Sequence, residues 1–250
     1  MLPRIPDPYR PPVVVPAEGR RRGRVGLLSG CIMPELFAAT NEATVRVLAH
    51  NGFEVEIAPE QGCCGALNQH TGDPEGAARL RARNLEAIRI DMLDAVIVNS
   101  AGCGAFLRDQ PDAFAMKVRD VTEFLVEAGF ETPSRAVDVR VAYDDPCHLR
   151  HGQGIQAEPR ELLRSIPGLE LVDLAGTQDC CGAAGIYNLL QPEMSETLRD
   201  RKIAAIRQAA VDVVATGNPG CMLQFSAGIR AAGLSVEVVH PVELLARAYL

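Results

Sequence analysis

The chain has 250 residues, and 47% of them are hydrophobic, which is enough to bury a core without disulfide cross-links. Acidic residues outnumber basic ones by 32 to 25, and the net charge of −7 argues against a nucleic-acid-binding surface. The sequence contains no long apolar span and no secretory h-region near its N-terminus, so we expect a cytoplasmic protein.

The N-terminal segment, residues 1–23, contains six prolines. This composition predicts an extended arm that does not contribute to a core. A basic cluster, Arg20–Arg22 with Arg24, closes the segment. We interpret the cluster as a solvated linker, with docking to an acidic partner or to lipid headgroups as the alternative.

From residue 24 onward the pattern predicts alternating strands and helices. Gly52 marks the end of one helix, and Asp73 followed by Pro74 marks the start of another. In chain order, the predicted elements are a strand over residues 24–29, a helix over 41–51, a strand over 53–58, a helix from 74 and a buried strand over 95–98.

The second half repeats this order, with strands predicted over 139–142, 169–172 and 211–215. Residues 73–89 match residues 191–207 at a constant offset of 118, which indicates an internal duplication. The sequence therefore predicts an α/β protein of two tandem-duplicated, Rossmann-like modules with parallel sheets. The first module covers residues 24–134 and the second covers residues 135–250.

The cysteines form one pattern that occurs twice. In the first copy, 31 residues separate a single cysteine from a Cys-Cys-Gly turn, and 37 residues separate that turn from the last cysteine; in the second copy the numbers are 32 and 38. All eight cysteines belong to this pattern: Cys31, Cys63, Cys64 and Cys103, then Cys147, Cys180, Cys181 and Cys221. Each follows a predicted strand, so we expect the cysteines on loops at the carboxyl ends of parallel strands, where they converge.

Four thiolates from three separate loops suit a soft metal ion or an iron–sulfur cluster. A reducing cytoplasm disfavours disulfides, and vicinal cysteines bridge to each other poorly. Zinc is the stronger competitor, although its sites usually contain a C-x2-4-C knuckle rather than an adjacent pair. The pattern thus favours up to two iron–sulfur clusters, with zinc at one site as an open alternative.

Several motifs resemble one known family. They are Gly62–Leu67 with His70, Asp145–Leu149, His151–Gln153, Cys180–Asn188 and Asn218–Gln224. Together they resemble the cysteine-rich CCG region of the glycolate oxidase iron–sulfur subunit, and they are similar to lactate-utilisation iron–sulfur proteins and to the CCG-containing subunit of heterodisulfide reductase. The resemblance covers roughly residues 24–250.

This resemblance implies an electron-transfer subunit of a glycolate- or lactate-oxidising complex, with no catalytic residues of its own. A separate FAD-containing subunit would oxidise the 2-hydroxy acid, and a ferredoxin-like subunit would carry electrons towards a quinone or another acceptor. The complex could then associate peripherally with the inner face of the cell membrane. The eight cysteines would be the cluster ligands.

The sequence departs from the family pattern in two ways. It lacks the two C-x2-C-x2-C-x3-C-P runs of the ferredoxin-like region, so it looks like the C-terminal half of a truncated or split subunit. The heterodisulfide reductase pattern has a fifth cysteine in each copy, and here those positions are Phe106 and Gln224. We therefore expect [4Fe–4S] clusters, with a catalytic heterodisulfide-reductase-like subunit or a zinc-stabilised scaffold as alternatives.

Three histidines lie near the cysteine motifs: His70, His148 and His151. Each could hydrogen-bond to a cluster sulfur or supply a ligand, while a helix cap or an exposed position is the alternative. Asp144 and Asp145 precede a predicted helix start, and we interpret them as caps rather than as acid–base catalysts.

Overall fold

The computed structural model describes residues 9–249 and contains two sheets. The first sheet has the order β1-β3-β2-β4-β5, in which β1 is antiparallel and the other strands are parallel. Its strands are β1 (Val14–Val15), β2 (Gly23–Leu27), β3 (Phe53–Glu56), β4 (Ala95–Val98) and β5 (Val118–Asp120).

The second sheet has the order β7-β6-β8-β9, and all its strands are parallel. Its strands are β6 (Val139–Tyr143), β7 (Leu169–Val172), β8 (Val213–Ala215) and β9 (Glu237–Val239). This order repeats that of the first sheet without its edge strand β1. The predicted class, two α/β modules with parallel sheets, is confirmed.

Helices connect the parallel strands of each sheet. Those of the first module are α1 (Met33–Leu36), α2 (Ala38–His50), α3 (Ala66–His70), α4 (Pro74–Ala87), α5 (Ala101–Arg108), α6 (Ala113–Lys117) and α7 (Val121–Ala128), with a short 3-10 helix at Ile90–Met92. Those of the second are α8 (Cys147–Arg150), α9 (Glu158–Arg164), α10 (Tyr187–Leu190), α11 (Pro192–Ala209), α12 (Pro219–Ala231) and α13 (Pro241–Tyr249). As predicted, Asp73 caps α4 and accepts a 2.8 Å hydrogen bond from the Gly76 N–H.

The duplication is visible in equivalent hydrogen bonds at the start of each sheet. The Asp94 carboxylate accepts a 2.7 Å hydrogen bond from the Arg24 N–H, next to β4 and β2. The Asp212 carboxylate accepts a 2.9 Å bond from the Arg140 N–H, next to β8 and β6. Both copies therefore join their first and third predicted strands through the same side-chain contact.

The two modules share one hydrophobic core. Helix α13 of the second module packs on α2 of the first, and α7 of the first packs on α9 of the second. Val25 and Leu48 from the first module belong to the same buried cluster as Leu163 and Leu244 from the second. The predicted boundary between residues 134 and 135 falls between the two sheets, but the core crosses it.

The N-terminal segment differs from the predicted arm in the part that is described. Strand β1 pairs with β3, so that Val15 lies opposite Val55, and Tyr9 packs against the shared core. Residues 1–8 of the predicted arm lie outside the described residues. The pairing saturates an edge of the sheet that would otherwise expose backbone N–H and C=O groups.

The basic cluster is engaged in contacts with the fold. Arg24 lies 2.7 Å from the Glu56 carboxylate, and Arg21 lies 3.4 Å from Glu54. The Arg22 guanidinium donates to the carbonyl oxygens of Ala128 and Gly129. These contacts replace the solvated linker that the composition suggested. Within residues 9–249, no helix is long and apolar enough to span a bilayer.

Candidate metal centres

The cysteines lie at the carboxyl ends of the parallel strands. Cys31 follows β2 and the Cys63–Cys64 pair follows β3, in both cases on a loop. The prediction of loop positions is wrong for three others, because Cys103, Cys147 and Cys221 lie in the first turns of α5, α8 and α12. These helices begin at once after the strands. A helix N-terminus favours a thiolate through its dipole and unpaired N–H groups.

We call Cys31, Cys63, Cys64 and Cys103 the first site. The Sγ atoms of Cys64 and Cys103 are 3.2 Å apart. The thiol of Cys63 is hydrogen-bonded both to Cys31 and to Cys64. The first site is therefore a chain of contacting sulfur atoms, although 72 positions separate its first and last members in the sequence (103 − 31).

We call Cys147, Cys180, Cys181 and Cys221 the second site. The Sγ atoms of Cys181 and Cys221 are 2.9 Å apart. Cys180 is hydrogen-bonded to Cys147 and to Cys181, as its counterpart is in the first site. The structure therefore brings each predicted set of four cysteines together.

The thiols of each site compete for protons. Hydrogen bonds from Cys31 and Cys64 lower the pKa of Cys63 to about 2, and those from Cys147 and Cys181 lower the pKa of Cys180 to about 2. The neighbours that share these bonds have raised pKa values, Cys31 and Cys147 among them. The opposite directions of these pKa shifts have one cause: adjacent negative charges repel each other unless cations neutralise them.

The glycine of each Cys-Cys-Gly turn has a positive φ, 95° for Gly65 and 91° for Gly182. A Cβ atom would lie 2.8 Å from the Ala77 oxygen at Gly65 and 2.5 Å from the Ser195 oxygen at Gly182. Both the backbone conformation and the close approach of a helix therefore require glycine.

The same turns direct backbone N–H groups at sulfur. The Gly65 N–H lies 3.4 Å from Cys63 Sγ, and the Gly182 N–H lies 3.3 Å from Cys180 Sγ. In the first site the Ala66 N–H lies 3.4 Å from Cys64 Sγ as well. These donors stabilise negative charge on the sulfur atoms and would tune a bound cluster.

Both sites face one cavity of about 520 Å³, lined by seven of the eight cysteines. Its walls come from both modules, and large apolar side chains such as Leu67 and Leu189 stand exposed beside it. The sequence predicts two sites, but only the packing of the modules brings them to a common cavity.

Two of the three predicted histidines meet at this cavity. The rings of His70 and His148 lie 5.7 Å apart, and His148 Nδ1 is 3.6 Å from Cys147 Sγ. Burial lowers the pKa of His148, and the nearby His70 lowers it further. His151 is exposed and does not line the cavity.

The polar residues that hold the cysteine turns were missed at the sequence level. Asn84 donates to the Cys63 carbonyl oxygen, and Lys202 donates to the Gly176 oxygen. Both are buried on helices, and they occupy equivalent positions in the repeat, 118 residues apart. The sequence does contain a signal for them, because a polar residue recurs at the same position among buried residues of the equivalent helix in both copies.

The acidic pair before α8 does not cap this helix, contrary to the prediction. Asp144 forms a buried ion pair with Lys202, and Asp145 pairs with Arg150 and Arg160 at 2.9 and 2.7 Å. Pro146 occupies the N-cap position and makes no side-chain cap. The carboxylates are instead used to anchor the turns around the second site.

The donor chemistry fits iron–sulfur clusters. Each site offers four cysteine sulfurs and adjacent N–H donors, the arrangement such clusters require. Within residues 9–249, no group of three or more His, Cys, Asp or Glu side chains forms a ready-made site for a single metal ion. Loading a site would displace the protons that its thiols share.

Comparison with known proteins agrees with this geometry. The CCG cysteine-rich domain matches the chain twice, over residues 25–108 and 141–226. The chain belongs to this family. Each match contains one complete set of four cysteines, so the resemblance drawn from the motifs is confirmed.

The CCG chain is similar to several curated iron–sulfur proteins. It is 39% identical to a probable glycolate oxidase iron–sulfur subunit from Bacillus subtilis, and 35% identical to the glycolate oxidase iron–sulfur subunit of Escherichia coli. The matches cover 99% and 92% of this chain, but only 60% and 59% of those subunits. Lactate utilization protein A from Exiguobacterium is 28% identical over 88% of this chain and 96% of that protein.

Comparison with solved structures matches a glutamate racemase from Bacillus anthracis at 13% identity and a TM-score of 0.39. That match covers 91% of this chain and 80% of the racemase. So low a score supports no conclusion about function.

Proposed function

We propose that this CCG protein is the iron–sulfur electron-transfer component of a complex that oxidises a 2-hydroxy acid such as glycolate or lactate. The observation that carries the proposal is the convergence of two four-cysteine sites on one cavity. Two redox centres that face the same space can exchange electrons with each other and with one partner.

In this proposal the eight cysteines hold up to two [4Fe–4S] clusters. Such a cluster, when bound, stores and transfers single electrons. The chain's own residues set the conditions, because the Gly65 and Gly182 N–H groups donate hydrogen bonds to cysteine sulfur atoms. His148 adds a polar contact at Cys147 in the second site.

We propose the partners from the resemblance of the motifs to the glycolate oxidase iron–sulfur subunit. An FAD-containing subunit oxidises the hydroxy acid and delivers electrons, and a ferredoxin-like subunit passes them towards a quinone or another acceptor. The complex is cytoplasmic and peripheral to the inner face of the membrane. Similarity to glycolate oxidase iron–sulfur subunits and to lactate utilization protein A supports this assignment.

Metal analysis of anaerobically purified protein tests the cofactor. We expect iron and acid-labile sulfide, and an EPR signal after reduction. Cys64→Ser should remove the first cluster and leave the second, whereas Cys181→Ser should do the reverse. Zinc without sulfide, or unchanged iron in both variants, would contradict the proposal.

Electron delivery tests the role. A hydroxy-acid flavoprotein and its substrate should reduce the clusters, while the chain alone should not oxidise glycolate or lactate. The competing function is catalytic heterodisulfide reduction, and the side chains at the fifth-ligand positions, Phe106 and Gln224, disfavour it. Turnover of a disulfide by the isolated chain would favour that alternative.

A further inference from the structure

Asn218 occupies the N-cap position of α12 but does not cap that helix. Its side chain extends instead between the two sites. Asn218 Oδ1 accepts a 3.2 Å hydrogen bond from the Gly102 N–H, next to Cys103 of the first site. Asn218 Nδ2 donates to Cys221 Sγ of the second site at 3.6 Å. One amide group thus contacts the backbone beside Cys103 of the first site and a cysteine sulfur of the second.

The first turn of α5, which carries Cys103, is held by the second module at two further points. The Ala101 N–H donates to the Gly217 oxygen at 3.0 Å. The Gln153 side chain donates to the Ala101 oxygen, also at 3.0 Å. A Cβ atom on Gly104 would lie 2.8 Å from Gln153 Oε1, so the approach is close. The second module therefore caps the helix that presents a ligand of the first site.

The equivalent residue in the first module behaves differently. Ser100 precedes α5 at the position that corresponds to Asn218 in the repeat, and it hydrogen-bonds to Cys103 in its own site. A serine hydroxyl is too short to donate to one site and accept from the other, as the Asn218 amide does. The bridge therefore runs through a side chain that only the second copy provides.

We propose that Asn218 is a positioning residue that couples the two sites, an inference that rests on the proposed function. Its Oδ1 atom caps the Cys103 turn of the first site, and its Nδ2 atom stabilises negative charge on Cys221 of the second. An N–H···S hydrogen bond favours the reduced, more negative cluster and so raises its potential. Removing the amide therefore affects retention at one site and potential at the other.

The test separates the sites by measuring each in a background that lacks the other. In the Cys181→Ser background, Asn218→Ala should speed iron loss from the first site to a chelator about fivefold, as expected for one lost helix cap. In the Cys64→Ser background, the same change should lower the midpoint potential of the second site, measured by EPR-monitored redox titration.

Two further variants serve as controls. Asn218→Asp keeps the acceptor for the Gly102 N–H, so iron retention at the first site should stay near wild type. It replaces the donor by a negative charge, so the potential of the second site should fall. Ser100→Ala should alter the first site alone. If Asn218→Ala does not fold, iron retention at the first site and the midpoint potential of the second, both measured in Asn218→Asp, test the proposal instead.

An effect of Asn218→Ala at one site only would overturn the coupling, as would an Asn218→Asp variant with an unchanged second site. If the clusters are bound but neither iron loss nor midpoint potential changes in the Asn218 variants, this inference is overturned and the proposed function is not. Wild-type protein without iron and sulfide would instead overturn the proposed function, and this inference with it.

Discussion

The loops that carry the Cys-Cys-Gly turns are held in both modules by a helix side chain at the same position of the repeat, but with different chemistry. In the first module the neutral Asn84 donates to the Cys63 carbonyl oxygen at 2.8 Å. In the second, Lys202 takes the same place on the repeat and donates to the Gly176 oxygen at 2.6 Å and to Asp144 at 2.5 Å. The duplication kept the position of the anchoring side chain on its helix, but changed its charge and the backbone carbonyl that it binds.

A second pair of attachments shows the same relation. Gln61 Oε1 accepts from the Ser29 N–H at 2.8 Å in the first module. Thr177 Oγ1 accepts from the Asp145 N–H at 3.1 Å in the second. The backbone geometry around a site therefore tolerates different side chains, provided that the same N–H group is satisfied.

The surroundings of the sites differ in polarity as a result. Ala77 and Phe106 line the helices beside the first turn, whereas Ser195 and Gln224 occupy the corresponding positions in the second. Ser195 donates to the Gly182 oxygen at 2.8 Å, and Gln224 donates to Ser195 at 2.8 Å. The two sites thus share one arrangement of cysteines but lie in environments of different polarity.

The largest effect should come from the charged anchor. Lys202→Met leaves the Asp144 carboxylate buried without its partner, so we expect a loss of about 3–5 kcal/mol in the free energy of unfolding. Asn84→Ala in the first module removes hydrogen bonds between neutral groups and should cost about 1–3 kcal/mol. Denaturant unfolding of both variants measures the difference. Equal losses would show that the charge of the anchor is irrelevant.

A smaller effect should come from the turn glycines. Gly182→Ala and Gly65→Ala each force a positive φ on alanine, which should lower the free energy of unfolding by about 1–3 kcal/mol. Each variant should also bind less iron at the altered site. The Gly182 variant should lose more stability than the Gly65 variant, because its Cβ would approach a backbone oxygen to 2.5 Å rather than 2.8 Å. Thermal unfolding and iron content provide the measurements, and Gly72→Ala, where a Cβ would meet no atom within 4 Å, is the control for positive φ alone.

The difference in polarity should also appear in the midpoint potentials. The second site has Lys202 near Cys180 and an amide donor at Cys221, so we expect it to be reduced first. A gap of about 59 mV corresponds to a tenfold difference in one-electron occupancy. A redox titration of the fully loaded protein that shows a single homogeneous step would contradict this expectation.

The smallest effect should be on the pH dependence of stability, because a buried residue in each module changes the stability with pH in the opposite direction. Asp120 before α7 and His240 before α13 both accept hydrogen bonds from the helix they precede. Burial raises the pKa of Asp120 to about 6 and lowers the pKa of His240 to about 3. Between these values and the ordinary ones, the folded state binds more protons at Asp120 and fewer at His240.

Acidification from about pH 6.5 to pH 4 therefore strengthens the contribution of Asp120 and weakens that of His240. The stability of His240→Asn relative to wild type should rise over this range, and that of Asp120→Asn should fall. Urea unfolding at several pH values tests the signs. Parallel pH profiles for wild type and both variants would show that neither group titrates as burial requires.

The sequence by itself determined the class of fold and the grouping of the eight cysteines into two sets of four. The continuous apolar run at residues 95–98 became β4 with the predicted bounds, because a strand buried on both faces needs no other pattern. Residues 169–172 likewise became β7 with the predicted bounds. The spacing of the cysteines placed each set at strand ends, and parallel topology then brought the set together. Such features depend on local periodicity and on a repeat, which a sequence displays directly.

Only the tertiary structure decided how the two sites relate. The strands β1, β5 and β9 have two or three residues each, too few for a recognisable alternation, and their pairing depends on the sheet beside them. The common cavity, the contact between His70 and His148 and the bridge made by Asn218 all cross the boundary between modules. They arise because α2 packs on α13 and α7 on α9, and burial of that shared core sets the relative position of the sheets.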